Sequence, residues 1–239
     1  MTAFFDYPKT AAFGRVVPKS KIYEHAGANT ALRGLFVREV DQIVWRFKLA
    51  PETTNLSATG SVLEVQVFGV SLKTGKLDDA ILRAIDKAIP FPSMFELTWR
   101  GKRKATAAYK RPSEADSTKW VISEYFATDW VPEVAPRTPL PVSLDLGSLY
   151  DQMLTALMPT VPGALGRDGE DIQTRVKRMG AIRAKTREVK RITARLNLEK
   201  QYNKRVAINA ELRKANQELA ELQSTAAVRA DALPVATNK

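Results

Sequence analysis

SVLEVQVFGVSLKTGKLDDAILRAIDKAIPFPSMFELTW, residues 61–99, reads as strand, helix, strand. Leu63, Val65 and Val67 alternate with Glu64, Gln66 and Phe68, the period of a strand with at least one buried face. Leu77-Asp78-Asp79 then caps a short helix whose inner face is Ile81, Leu82, Ile85 and Ile89. Pro90 and Pro92 stop it, because a proline has no amide proton for the helix ladder. Met94 to Trp99 returns to a strand-like run.

Downstream, residues 105–110 and 120–130 are two more strand-like runs, joined by the tight basic turn GKRK and the longer turn RPSEADST. An antiparallel meander is the economical arrangement. Upstream, Asn29-Thr30 offers a cap, and Leu32, Leu35, Phe36, Val40, Ile43, Val44 and Phe47 recur at three- and four-residue steps. That stripe predicts one helix of roughly 20 residues ending before Pro51. Residues 1–28 read as irregular, broken by Pro8, Gly14, Pro18 and Gly27. The expected fold class is α+β: a small mixed or antiparallel sheet with two helices, followed by a long C-terminal basic coiled-coil helix. The body is expected over 1–130. The segment 131–145, beginning VPEVAPRTPLP, is expected as a proline-rich linker and 146–158 as a short amphipathic helix with Leu149, Met153, Leu154 and Leu157 on one side. Residues 168–224 are expected as one continuous helix about 85 Å long, and 225–239 as a disordered tail.

The charge is unevenly distributed. Between residues 175 and 205 stand twelve cations, Arg175, Lys177, Arg178, Arg183, Lys185, Arg187, Lys190, Arg191, Arg195, Lys200, Lys204 and Arg205, against two acids, Glu188 and Glu199. That stretch is +10 in a chain of +11. Such a concentration points to a polyanion, nucleic acid first, or to an acidic protein partner. Spaced at about 100° per residue, the cations encircle a single helix, which suits contact with phosphates and gives no means of base readout. The alternative is a solvated coiled-coil surface, though such surfaces carry mixed signs.

The apolar positions of the same region form two heptad frames. Ile182, Val189 and Leu196, with Ile192 between, make one; Ile208, Leu212, Ala215, Leu219 and Leu222 make the other. They are offset across residues 198–206, a discontinuity that alters coiled-coil winding. Each half is weak alone, with Lys185 at a core-like position, so partner helices from a second copy or another protein are expected. Tyr202, Asn203, Asn209 and Leu212, around the offset, are the expected partner-binding residues.

Composition excludes several chemistries. With no cysteine there are no disulfides, thiolate metal sites or Cys nucleophiles, and the one histidine, His25, excludes any site needing two. No segment nears the roughly 20 apolar residues that span a bilayer, and no leader of signal-peptide type opens the sequence. The expectation is a cytoplasmic protein without membrane contact. GxxxxGK[ST] and GxGxxG are absent, so neither nucleotide cofactor nor other cofactor is expected. A divergent metal-dependent nuclease is the enzymatic alternative: Glu64, Asp78, Asp79 and Glu96 supply acids and Lys110 the lysine, but Ala108 stands where the paired acid belongs. Helix capping and strand polarity explain those acids equally well. The aromatic set Tyr23, Trp45, Trp99, Tyr109, Trp120, Tyr125 and Trp130 offers stacking surface, or core.

Three segments, VPKSKIYEH (17–25), AIDKAIPFPSMFEL (84–97) with AAYKR (107–111), and LEKQYNKRVAINAELR (198–213), together resemble the bacterial domain-of-unknown-function family 4391. LDLGSLYDQMLTALMP, before the long basic region, fits as well. The resemblance brings no catalytic residue. It implies a setting beside helicases and DNA methyltransferases in restriction and phage-defence loci. The expected function is therefore a non-enzymatic accessory subunit of a DNA-targeting defence system. Its basic coiled coil would meet DNA or RNA backbone, a helicase or methyltransferase subunit, or a second copy. A protein-only adaptor is the other alternative.

Overall fold

The computed structural model describes residues 3–116, 119–159, 166–167 and 170–224. Two compact units divide the chain, Met1–Pro159 and Thr160–Lys239. The expected tail over 225–239 lies outside the described residues.

The first unit begins with β1 (Phe5–Asp6), a 3-10 turn (Lys9–Ala11), β2 (Ala12–Val16), α1 (Lys19–Ala26) and α2 (Thr30–Glu39). It continues with β3 (Val40–Leu49), α3 (Pro51–Thr54), β4 (Val65–Leu72) and α4 (Asp79–Ala88). It ends with β5 (Ser93–Trp99), β6 (Lys102–Pro112), β7 (Trp120–Ala127), β8 (Val131–Pro132), β9 (Thr138–Pro139) and α5 (Leu146–Thr155). The main sheet has seven strands in the order β2-β3-β4-β5-β6-β7, with β8 also on β6. Only β4–β5 is parallel, joined through α4; the other neighbours are antiparallel. The α+β class stands, with a sheet larger than the small one expected and more helices than two.

The strand–helix–strand reading and the meander are present. β4 is buried on both faces, because it lies inside the sheet and layers cover both sides. Asp78 caps α4 by accepting from the Ala80 amide at 2.8 Å, and Asn29 caps α2 by accepting from Leu32 at 2.9 Å.

The 20-residue helix expected from residue 30 is instead α2 followed directly by β3. Val40, Ile43, Val44 and Phe47 satisfy a helical step, but Val-Asp-Gln-Ile-Val-Trp-Arg-Phe is dense in β-branched and aromatic residues and pairs with both β2 and β4. The segment expected to be irregular, 1–28, holds β1, β2 and α1. α1 buries only Ile22, too little to show a stripe, and ends at Gly27, whose φ of 63° suits a residue without a Cβ.

One face of the sheet carries α1, α2 and α4 over Phe36, Ile43, Phe68, Ile81, Ile85 and Phe95. Burying each such side chain contributes about 1.5–3 kcal/mol. The other face carries α5 and the segment between β8 and β9. Tyr150 of α5 accepts from the Lys110 amide at 3.0 Å and donates to the Ala108 carbonyl at 2.8 Å. The expected linker is thus part of the body. Arg137 grips both carboxylate oxygens of Glu96 at 2.7 Å and donates to the Phe5 carbonyl at 2.8 Å, while β9 pairs in parallel with β1. The four prolines keep it extended, and the sheet face holds it.

In the second unit the single helix expected over 168–224 is two, α6 (Ile172–Leu198) and α7 (Tyr202–Gln223). Lys185 meets Glu218 at 2.6 Å and Arg195 meets Glu211, so rising numbers on one helix face falling numbers on the other: an antiparallel hairpin. Val189, Ile192 and Leu196 pack on Ile208, Leu212 and Ala215. The frame discontinuity is the point of reversal, and each weak half finds its partner in the other.

Candidate nucleic-acid interface

The hairpin sorts the twelve cations by what the second helix brings to them. Arg178 is buried, and its guanidinium forks onto Glu170 at 2.7 and 2.6 Å; that contact holds the Glu170 carboxyl below its ordinary value. Lys185 stands in the seam between Glu188 at 2.8 Å and Glu218 at 2.6 Å, which accounts for a cation at a core-like position. Arg195 is exposed and pairs with Glu211. Arg175 is half-buried over Gly166, and desolvation lowers its pKa. These four are parts of the hairpin's own structure.

Opposite the seam, Arg183, Arg187, Lys190 and Arg191 follow the i, i+4, i+7, i+8 spacing of one helix face. Arg187, Lys190 and Arg191 are exposed and Arg183 is half-buried. The cations still lie all round α6, but the reversal covers the side that carries Arg178 and Lys185 and leaves the stripe on the face turned away from α7. Lys177 is exposed near the start of α6. At the other end Lys200, Lys204 and Arg205 surround the turn, all exposed, opposed by Glu199, whose carboxyl is lowered first by the Gln201 amide at 2.8 Å and then by Lys204 and Arg205.

The turn itself has neither Gly nor Pro. Glu199 and Gln201 take extended backbone, at φ/ψ of −78°/129° and −81°/123°. Leu198, Tyr202 and Val206 project from it, 81%, 79% and 53% exposed. Of the expected partner-binding residues, Tyr202, Asn203 and Asn209 are exposed and lie outside the seam. Leu212 is half-buried and packs in the seam.

The nuclease-like pair is separated by the sheet. Phe95 and Leu97 pack with α4, so Glu96 between them points to the opposite face, where Arg137 and Arg46, at 3.1 Å, hold it. Lys110 points towards α4 and donates to the carbonyls of Asp86 and Ile89, closing the helix C-terminus. Glu64 accepts from Gln66 and pairs with Lys48 at 3.3 Å, and Asp78 is a helix cap. Among the described residues no three His, Asp or Glu side chains come together that could hold a metal ion. Sequence reasoning did not identify the buried group Asp86, Lys110 and Tyr125, in which the Tyr125 hydroxyl donates to Asp86 and Lys110 lies 3.7 Å away. Nothing in the spacing of residues 86, 110 and 125 signals that they meet.

No helix among the described residues is long and apolar enough to cross a membrane. Comparison with known proteins gives one family: the model described as "Domain of unknown function (DUF4391)" matches residues 5–219. No curated protein matches the chain, and no solved structure does.

Proposed function

The chain belongs to the DUF4391 family, whose description assigns no activity, and from that starting point we propose that it is a non-enzymatic accessory protein that binds the backbone of nucleic acid through the outer face of α6. The observation that carries the proposal is the stripe Arg183, Arg187, Lys190 and Arg191, with Lys200, Lys204 and Arg205 at the tip. A phosphate backbone is met by cations held at helical spacing on an accessible helix face. The setting beside DNA-processing enzymes of a bacterial defence system is the biological context we infer for it.

The test is a salt series on duplex DNA with the full chain. Four to seven phosphate contacts give a log–log slope between about −4 and −6. Changing Arg183, Arg187, Lys190 and Arg191 to Ala together removes most of the affinity and flattens the slope by about 3–4. Salt-insensitive binding, or equal binding by that variant, overturns the proposal. A protein adaptor is the second reading, favoured by the exposed Leu198, Tyr202 and Val206. Co-purification of a partner that survives nuclease treatment and is lost in Tyr202→Ala, together with no binding to free DNA, would favour it.

A further inference from the structure

The body carries a cationic surface of its own. Two clefts lie along β7, on the side of α4. The first, of ≈ 330 Å³, sits at the start of α4 and is lined by Lys76, Leu82, Lys104, Tyr125 and Trp130 among others. The second, of ≈ 470 Å³, sits towards the end of α4 and is lined by Arg83, Lys87, Lys119, Trp120 and Ile122. They adjoin: Arg83, from the second, lies with its guanidinium carbon 5.6 Å from the ring centroid of Tyr125, from the first, and is fixed there by donating to the Ser123 carbonyl at 3.1 Å.

The chemistry repeats along this groove. Each cleft has at least two cations and a tryptophan. Among the described lining residues Asp79 is the one acid, and it belongs to the first cleft. Lys76 and Lys87 are exposed, and Lys104 is half-buried. The aromatics are held by the body. Trp130 packs against Trp99 with centroids 6.4 Å apart, and Trp120 lies with the buried Lys110 ammonium 5.3 Å from its ring centroid. Tyr125 gives its hydroxyl to Asp86, so what it offers the groove is its ring.

We propose that the α4–β7 groove binds a short stretch of single-stranded nucleic acid, with bases against Trp120 and Trp130 and phosphates on Lys76, Arg83, Lys87 and Lys104. Alternating cations and fixed aromatic rings match a chain that alternates phosphates with planar bases. An acidic peptide offers charge without the rings. The eight residues of β7 span roughly 26 Å, room for about seven nucleotides stacked at about 3.4 Å. The groove is too narrow in charge and too rich in aromatics to call for a duplex; the hairpin stripe, built of cations alone, is the surface that suits one.

The experiment uses the full chain, a fluorescent oligothymidylate and a mixed-sequence duplex, read by anisotropy. Lys76→Glu with Lys87→Glu reverses one exposed cation at each cleft, and thermal melting checks that the body stays folded. The expected result is a loss of about tenfold or more in oligothymidylate affinity with duplex affinity unchanged. Trp120→Phe, which keeps a ring of smaller area, weakens the oligothymidylate less than Trp120→Ala. The hairpin variant at Arg183, Arg187, Lys190 and Arg191 keeps its oligothymidylate affinity, which separates this site from the one proposed above. Three results each overturn the inference: no oligothymidylate binding by the unaltered chain, unchanged binding by the charge-reversed variant, or equal displacement of the oligothymidylate by polyglutamate.

Discussion

Asp86 and Lys110 face each other inside the body, the first 2% and the second 1% exposed. Burial pushes the Asp86 carboxyl from 3.8 up to about 6 despite the attraction of Lys110, and burial brings Lys110 from 10.5 down to about 8. In both cases the folded state disfavours the charged form. For Asp86 the stability is highest below pH 4 and is lost as pH rises through 6; for Lys110 it is reduced below pH 8 and regained as pH rises towards 10.5. The body is therefore least stable between about pH 6 and 8. All four tryptophans, Trp45, Trp99, Trp120 and Trp130, lie in the first unit, so their fluorescence in a urea titration reports it. Raising pH from 4 to 6 lowers its stability by about 2 kcal/mol, since Asp86 is only part-titrated at either end of that range, and Asp86→Asn flattens that limb. Arg137 gives a second test. Glu96 is 2% exposed, and Arg137→Ala leaves it with Arg46 alone and frees β9. A loss of about 3 kcal/mol in the same titration is expected; a change below about 0.5 kcal/mol would mean that Arg46 and solvent suffice.

The elements differ in how much of them could be read from residues. β4, α4, β5, β6 and β7 were legible because each carries its own signal: alternation, an Asp cap, prolines at the stop, a turn between runs. β3 was not, because Val40, Ile43, Val44 and Phe47 satisfy the helical step as well as the strand, and only pairing with β2 and β4 decides between them. α1 is too short to show its face. Residues 131–145 read as a spacer because proline density marks extended backbone, and nothing in the density says that Arg137 will find Glu96. In the hairpin, the offset between heptad frames was visible but its meaning was not: without Gly or Pro at residues 199–201, reversal and continuation look alike. The stripe of the interface is legible as spacing within α6; what the reversal adds is the cover on the opposite side of that helix. The groove residues come from the loop before α4, from α4, β5, β6 and β7, and from the segments on either side of β7, so no window of sequence contains them. The seam makes its own prediction. Ile192, 2% exposed, packs with Ile208 and Ala215, and Ile192→Ala costs about 2–4 kcal/mol of hairpin stability, seen as an earlier loss of helical ellipticity on heating.

Across the whole molecule the charge divides unequally: residues 1–159 hold 20 cations and 17 acids, residues 160–239 hold 17 and 9, or +3 against +8. The acids of α7 temper the basic stretch of α6 and take particular cations into the fold, so net charge overstates what a polyanion meets. On a heparin column, whose sulfates offer charge without bases, the variant at Arg183, Arg187, Lys190 and Arg191 elutes at markedly lower salt, and Trp120→Ala elutes with the unaltered chain; elution of all three together would place the polyanion site elsewhere. One contact also bears on how such a molecule is made. Arg137 reaches the Phe5 carbonyl across 132 positions of chain, and Thr138 donates to Phe4 across 134. At about 5–20 residues per second of synthesis, the first strand leaves the ribosome several seconds to almost half a minute before the strand it pairs with exists. Until then the segment of Phe4 and Phe5, each nearly fully buried in the finished fold, lacks its β9 partner. The body can assemble the meander early, but β1 waits for β9, and that waiting segment is where a nascent chain would most need a chaperone's cover.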